Sequence, residues 1–251
     1  MPRAAKSDGR RAGKSAGKEL SAADQAYNGI IDLVLYNELR PGERTSVNLL
    51  AARLKLGRTP VKEAITRLQT EGLLTVFGRS GTMVNRADAT QIEHLFALRK
   101  AMEDFAAEGA VRHVATEQLA ELRELVGKMR VYSANRNDIR SAADFVRANV
   151  AFHALIVAAT GNPFLIRLYA QLQMQLQIIT YLVHRGFDPK AAAQRQREHE
   201  GIYKALAARN AKLLKALLRQ HAQATEVVIL ATLRDADLSS TEARKRRSRA
   251  A

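Results

Sequence analysis

Four side chains in the C-terminal half of the chain are of the types that bind metal ions. Asn149 and His153 are one helical turn apart and share a helix face, and His199 and His221 lie on two later segments predicted to face inward. A helical bundle can hold a divalent metal where such side chains converge. A buried histidine is also common as an ordinary core residue, so spacing alone leaves both interpretations open. We predict no role for the other three histidines, which are His94, His113 and His184.

A second set of residues, nearer the N-terminus, is of the types that bind DNA. A helix that enters the major groove presents long donors near its N-terminal end while its opposite face packs inward. Arg58 and Lys62 are one turn apart on a predicted helix, and the backbone amide of Thr59 could bind a phosphate there. Arg79 lies in a glycine-bounded turn from which it could reach the DNA backbone. Each cation taken alone could equally be a solvated surface charge.

The elements around these cations predict a winged helix-turn-helix over residues 21–85. Apolar periodicity predicts helices over about 26–39 and 47–54. A third helix is predicted to start near Thr59 and Pro60, where threonine can cap, and to stop at Gly72. The stretch 73–84, with a turn at 78–81, has the pattern of a small hairpin that would form the wing.

The rest of the chain has helical periodicity with few glycines and no strand pattern. Short breaks divide it into six predicted helices, over about 91–114, 117–132, 139–160, 163–185, 189–208 and 211–233. These helices predict an all-α antiparallel bundle over 90–235, joined to the first domain by a hinge at 85–89. The predicted fold class is therefore mainly α, a winged helix-turn-helix followed by a helical bundle.

Composition restricts the class of protein further. Apolar residues make up 47% of the chain, enough for a proper core, and no apolar run approaches the roughly 20 residues that span a bilayer. The absence of cysteine excludes disulfides and thiolate metal sites. Of the net charge of +15, a predicted tail at 1–20 carries +4 and a second at 236–251 carries +5 within its last eight residues. We expect a cytoplasmic protein with no membrane partner.

Residues 26–84 resemble the winged helix-turn-helix of the GntR family of regulators. The matching segments are LRPG at 39–42, LA at 50–51, RTPVKEAI at 58–65 and EGL at 71–73, followed by a wing with Gly81 and Val84. The resemblance implies DNA binding by Arg58, Thr59, Lys62 and Arg79. Gly57 stands where the family usually has a capping serine, and Lys62 replaces a usual arginine. An arginine found near 47–48 in some relatives is missing. Base preference can therefore differ from that of relatives.

The C-terminal segment is similar to the FCD effector domain of FadR-type GntR proteins, and by its length and six helices to the VanR branch. The matching segments are RKAME at 99–103, FH at 152–153, GNP at 161–163 and EH at 198–199. The resemblance implies a divalent metal, usually zinc, held by Asn149, His153, His199 and His221 beside a pocket for a small carboxylate. It also implies that Arg99 anchors this acid, although a salt bridge with Glu103 is an open alternative.

Together these features predict a ligand-responsive regulator, with a repressor as the expected type. Its homodimer would bind a palindromic DNA operator, and an organic acid would shift the arrangement of the DNA-binding domains. A metal-dependent enzyme is one alternative, but Glu198 and Glu200 flank His199 without a second histidine four residues away, so the usual general-base motif is missing. The other alternative is an architectural DNA-binding protein that binds through its basic tails.

Overall fold

The computed structural model describes residues 20–86, 88–134, 139–184 and 189–249, which form nine α-helices and one small sheet. The DNA-binding part contains α1 (Ala22–Leu35), β1 (Arg44–Thr45), α2 (Val47–Leu54), α3 (Arg58–Thr70), β2 (Leu74–Val76) and β3 (Thr82–Val84). The bundle contains α4 (Ala89–His113), α5 (Thr116–Ala134), α6 (Ile139–Ala158), α7 (Pro163–His184), α8 (Pro189–Ala207) and α9 (Ala211–Arg249). This architecture confirms the predicted fold class.

The first three helices pack around a small apolar core. Helix α1 begins earlier than predicted because the Ser21 side chain accepts a hydrogen bond from the amide of Asp24 at 3.1 Å and caps the helix. Its apolar face meets α3, where Val61 and Leu68 are buried with Ile30. The outer face of α3 is thereby left to solvent.

The wing is a three-stranded antiparallel sheet in the order β1-β3-β2. A short 3-10 turn, Gly78–Ser80, joins β2 to β3 as predicted for the hairpin. Gly81 follows that turn with φ of 100°, and a Cβ there would lie 2.7 Å from the carbonyl oxygen of Thr45, so this position requires glycine. Strand β1 was not predicted, because two residues are too few for an alternating pattern.

Side-chain caps set several boundaries of the bundle helices. Asp88 caps α4 by accepting from the amide of Gln91 at 2.7 Å. Asn162 caps α7 and Asn210 caps α9 in the same way. Gly161 has a positive φ of 68°, which confirms the predicted break before α7. The predicted breaks at 137–138 and 186–188 lie outside the described residues.

Helix α9 is longer than predicted, and α6 contains a long apolar stretch. Helix α9 continues to Arg249, whereas the sequence pattern predicts an end near Leu233 and a tail beyond it. No glycine or proline occurs between these positions, so nothing local stops the helix. Among the described helices, α6 is long and apolar enough to cross a membrane by composition alone. Half of its stretch Arg140–Ala158 is buried against the other helices, as in the core helix of a globular protein.

Candidate functional site

The N-terminal end of α3 presents the predicted DNA-binding residues to solvent. Arg58, Thr59 and Lys62 are exposed, while Val61 between them is fully buried. The residue that caps the helix is Gly57 and not Thr59, so the expectation of a threonine cap was wrong. Because glycine has no side chain, no side-chain hydrogen bond satisfies the first amides of α3. Arg79 lies in the 3-10 turn of the wing, and its side chain is outside the described set.

Three histidines from three different helices meet in the core of the bundle. His153 on α6, His199 on α8 and His221 on α9 are each at most 1% exposed. Each offers a ring nitrogen, and these ligand atoms all lie within 4.8 Å of one another. The rings of His199 and His221 have centroids 4.6 Å apart, and those of His153 and His221 are stacked at 5.1 Å. The structure therefore brings together the three histidines that helical spacing singled out.

Neighbouring polar groups fix the orientation of this histidine cluster. Asn149 is buried, and its Oδ1 lies 2.8 Å from Nε2 of His199. Nδ1 of His221 lies 2.9 Å from a carboxylate oxygen of Glu198, so this nitrogen carries the proton and donates it. The other ring nitrogen of His221, Nε2, is therefore unprotonated and has a lone pair available. A carboxylate behind a histidine in this way is the usual support of a metal-binding imidazole.

A buried ion pair lies against the same cluster. Nε of Arg99 donates to Glu103 at 2.9 Å, and both side chains are at most 3% exposed. The hydroxyl of Tyr169 on α7 donates to the same oxygen of Glu103. Nη2 of Arg99 lies 2.9 Å from Nε2 of His153, which must accept because a guanidinium only donates. Arg99 therefore has the salt bridge that was an open alternative, but in the core and in contact with the histidines.

The protonation of these groups follows from their burial and neighbours. Burial alone would raise the pKa of Glu103, but the charge of Arg99 and, after it, the contact with His153 lower that pKa well below its usual range. Burial lowers the pKa of all three histidines, most strongly those of His199 and His221. A proton on a neighbouring histidine of the cluster would lower these two pKa values further. The cluster is consequently neutral near pH 7. Its lone pairs are available to a cation.

The donor set of the cluster fits a divalent metal. Zinc binds histidine nitrogens at about 2.1 Å, so two ligands of one ion are separated by at most about 4.2 Å. The observed spread of 4.8 Å needs only a small closure of side chains. Nδ1 of His199 is buried without a hydrogen-bond partner among the described residues. Three neutral imidazoles and a carboxamide oxygen are together a donor set that divalent transition-metal ions accept.

Two side chains connect the bundle to the DNA-binding part. Arg147 on α6 forms an ion pair with Asp32 of α1, and its Nη1 donates to the hydroxyl of Tyr36 at 3.2 Å. Gln175 on α7 donates from Nε2 to the carbonyl oxygen of Glu71, at the C-terminal end of α3, at 2.9 Å. Helix α6 thus carries both a histidine of the cluster and a contact to the first domain.

Sequence reasoning missed most of the partners of the predicted residues. The partners not foreseen include Tyr169 on Glu103, Glu198 on His221 and Arg147 on Asp32. All three pairs join different helices, so no spacing within one helix reveals them. The one available signal was the four-residue separation of Arg99 and Glu103, which is compatible with an ion pair on any helix face.

A winged helix-turn-helix attached to a helical bundle with a buried polar cluster defines a class of DNA-binding regulators. Two family models match the chain: the model of bacterial regulatory proteins of the gntR family matches residues 22–84, and the FCD domain model matches residues 94–224. The chain belongs to the GntR family and carries an FCD domain. It is a transcriptional regulator of this type and not an enzyme.

Several regulators are similar to the chain over much of its length. The Nta operon transcriptional regulator of Aminobacter aminovorans is 28% identical over 143 residues, which cover 57% of this chain and 66% of that protein. The regulator McbR of Escherichia coli is 26% identical over 78% of this chain and 85% of its own length. A solved structure of E. coli McbR/YncC has a TM-score of 0.75 at 22% identity and covers 85% of this chain and 99% of that chain.

The name of a third relative describes it as a repressor. The transcriptional repressor GlaR of E. coli is 23% identical to the chain, covering 78% of this chain and 90% of that protein. The chain thus shares its class, transcriptional regulators, with these relatives, and its fold with the solved McbR/YncC structure.

Proposed function

We propose that the chain is a repressor that binds a palindromic operator as a homodimer and responds to a small organic acid held beside a divalent metal. The observation that carries this proposal is the histidine cluster of His153, His199 and His221, because neutral buried imidazoles that converge from three helices have no evident role in packing alone. The contact of Arg147 with α1 supports the response of the DNA-binding part.

The metal would be zinc, held by Asn149, His153, His199 and His221. When bound, it supplies a positive charge and an open coordination position, both of which favour a carboxylate oxygen. Glu198 holds His221 in the tautomer that leaves Nε2 for the ion. Asn149 contributes a neutral oxygen where a carboxylate would reduce the charge of the site, so the charge that attracts an acid is kept in full.

Arg99 would bind the carboxylate of the acid. Its guanidinium is fixed on one side by Glu103, while Nη2 points to the histidine cluster 2.9 Å away. When Nε2 of His153 serves as a metal ligand, this donor is free to bond a carboxylate at the same place. A fixed guanidinium loses little side-chain entropy when it binds, which favours affinity.

The operator would be bound through the exposed end of α3. Arg58 and Lys62 would donate to base edges or phosphates, and the uncapped amide of Thr59 would bind a phosphate at the helix end. Arg79 in the wing would contact the backbone or the minor groove. A domain at 21–85 would thus read DNA, a domain at 90–235 would bind the acid, and the basic segments at 1–20 and 236–251 would add attraction to phosphates.

Helices α6 and α7 would transmit the response. Arg147 lies six residues from His153 on α6, and Gln175 lies six residues from Tyr169 on α7. A shift of either helix at the site therefore moves a side chain that bonds α1 or the end of α3. The acid would favour one of two arrangements of the DNA-binding parts by its greater affinity for that arrangement.

The dimer would form through an apolar surface of the bundle. Leu98 and Phe105 on α4, and Phe164 and Leu168 on the neighbouring α7, are more than half exposed. Exposed aromatic and leucine side chains in such a group are typical of interfaces. A second copy of the chain is the partner that a palindromic operator requires. The assembly would work in the cytoplasm, where DNA is available.

Selection from a random pool of DNA duplexes, followed by fluorescence anisotropy at about 0.15 M salt, tests the proposal. The chain should prefer the selected palindrome over random DNA by about 1,000-fold or more. Carboxylic acids should release this duplex from zinc-loaded protein but not from chelator-treated protein. Binding of random and selected DNA with equal affinity, or release that ignores the metal, would contradict the proposal.

A further inference from the structure

Helix α9 runs antiparallel to α4 in a regular register. Hydrogen bonds join the two helices on successive turns, and they pair Glu108 with Lys215, Asp104 with Arg219, and Lys100 with both Gln223 and Glu226. Each step of about four residues toward the start of α4 is therefore matched by about four residues toward the end of α9. Continued in this way, the register places Ala89, the first residue of α4, beside about residue 236 of α9.

The last turns of α9 consequently extend beyond the start of α4. Helix α9 continues to Arg249, about 20 Å past that point. Helix α4 cannot cover these turns, because it begins at Ala89. The DNA-binding part is attached at the same end of the bundle, since β3 ends at Val84 and α4 begins five residues later. Residues 237–249, named the C-terminal arm, therefore leave the bundle beside the DNA-binding part.

The C-terminal arm is strongly basic. Five of its last six residues are cations, namely Arg244, Lys245, Arg246, Arg247 and Arg249. Successive residues of a helix are turned by about 100°, so these five cations are distributed around the whole helix. Cations suit the C-terminal end of a helix, where the backbone carries partial negative charge. This placement favours a helix over a disordered tail.

The same composition indicates what the arm can bind. Between residues 237 and 249 the only apolar residues are Leu238 and Ala243, so this stretch offers no apolar face to a core. Its closely spaced positive charges repel one another, and a polyanion would remove that repulsion. DNA is favoured among polyanions because the arm leaves the bundle beside the part that binds DNA.

We propose that the C-terminal arm is a second DNA-binding element, a cationic helix that binds phosphates of the duplex held by α3. The inference rests on the operator binding of the proposed function and deepens it. It replaces the general attraction of a basic tail with a contact whose position is set by the register of α4 and α9. Phosphate contacts position a protein on DNA but read no bases, so the arm would add affinity and salt dependence without selectivity.

Fluorescence anisotropy of the full chain on the selected operator duplex, over a range of salt concentrations, tests this proposal. The arm variant carries three substitutions, Arg244→Gln, Arg246→Gln and Arg247→Gln. It should bind at least about 10-fold more weakly at about 0.15 M salt, and its slope of log affinity against log salt should fall by about two units. An unchanged slope in the arm variant would overturn the proposal.

The matched control removes three exposed cations from the opposite end of the bundle, at the ends of α4 and α8 and at the start of α9. Its substitutions are Arg112→Gln, Lys204→Gln and Lys212→Gln. It loses the same net charge as the arm variant and should keep the slope of the unchanged chain. An equal reduction of the slope in both variants would also overturn the proposal, because net charge alone would then account for it.

The helical form of the arm is tested by Ser240→Pro, which breaks the helix before the cations and leaves their charge in place. This variant should lose most of the affinity that the arm variant loses. Ser240→Ala keeps the helix and should bind like the unchanged chain. Full affinity in Ser240→Pro would overturn the proposal, because a flexible basic tail would then be sufficient.

The preference for the operator over random DNA separates this inference from the proposed function. The arm variant should keep that preference, because the arm contacts phosphates alone. Absence of a preference in the unchanged chain would contradict the proposed function, while the slope of the arm variant would still test the arm. Light scattering should give the arm variant the same mass as the unchanged chain. A smaller mass would overturn the proposal, because the arm would then hold an assembly together.

Discussion

The two functional regions differ in where their charges lie. At the end of α3, Arg58 and Lys62 are exposed, whereas in the bundle Arg99, Glu103 and Arg195 are at most 7% exposed. Exposed cations attract DNA by releasing counterions, and salt weakens that attraction. Buried charges are little screened, so each one must be balanced by a neighbour or by a ligand. Substitution of the exposed cations should therefore weaken DNA binding without affecting the fold. Substitution of the buried charges should affect both the fold and the binding of ligands.

Removing a buried charge should have the largest effect. Glu103→Ala leaves Arg99 buried without its carboxylate and should lower the free energy of unfolding by about 3–5 kcal/mol. Glu124→Ala breaks an ion pair of the same four-residue spacing on the surface of α5 and should cost far less, because exposed ion pairs contribute little to stability. Urea unfolding measures both values. Similar losses in the two variants would remove the distinction between the regions.

Acid should weaken the bundle through the histidine cluster. The folded-state pKa values of His153, His199 and His221 lie below the usual 6.5, so the unfolded chain binds protons first as the pH falls. In chelator-treated protein, the contribution of these three histidines to the free energy of unfolding is therefore complete well above pH 6.5 and declines as the pH falls below that value. One histidine with a lowered pKa gives a slope of the unfolding free energy of up to about 1.4 kcal/mol per pH unit. Three such histidines should give a steeper slope than one.

Thermal or urea unfolding between pH 7.5 and 5.5 measures this slope. The double variant His94→Gln, His113→Gln removes two exposed histidines and should keep the slope unchanged. A flat profile in the unchanged chain, or an equal reduction in the control, would show that the cluster is not the source.

In the exposed region, substitution should affect binding alone. Lys62→Ala should lower operator affinity by about 10- to 100-fold and reduce the dependence of log affinity on log salt by about one unit. Its unfolding free energy should stay the same, because the side chain is exposed. Lys212→Ala, an exposed lysine of α9, is the matched control and should bind as before. Operator binding of Lys62→Ala at full affinity would contradict the role of α3.

The connection between the regions should show the smallest effect. Arg147→Ala removes the ion pair with Asp32 and should change the coupling between acid and operator by about 0.5–2 kcal/mol. Operator affinity with and without saturating acid gives the coupling. Arg123→Ala, an exposed arginine of α5, should leave it unaltered. An unchanged coupling in Arg147→Ala would exclude this contact as the route.

The same contrast explains which features the sequence could predict. The segment at 58–65 and the turn at 78–81 are each an unbroken stretch of sequence. The types and order of their residues alone therefore predicted the helix and the wing. Only the helix ends differ from the prediction. Gly57 and not Thr59 caps α3, and α9 continues past Leu233 because no glycine or proline ends it there. The two-residue strand β1 exists only because β3 pairs with it.

The buried region was predictable only in part. Helical spacing could place Asn149 and His153 on one face, but it could not show which helices meet. The bonds of Glu198 to His221 and of Tyr169 to Glu103 join helices that are distant in sequence. The roles of the site residues in binding metal and acid remain predictions.

The metal content of the purified chain, measured by elemental analysis, tests the central proposal most directly. The unchanged chain should hold close to one divalent ion, expected to be zinc, and His199→Ala should hold almost none, because losing a ligand weakens binding by more than the roughly 100-fold of a supporting residue. His113→Ala, an exposed histidine of α4, should keep its metal. Equal metal in His199→Ala and the unchanged chain would contradict the proposed site.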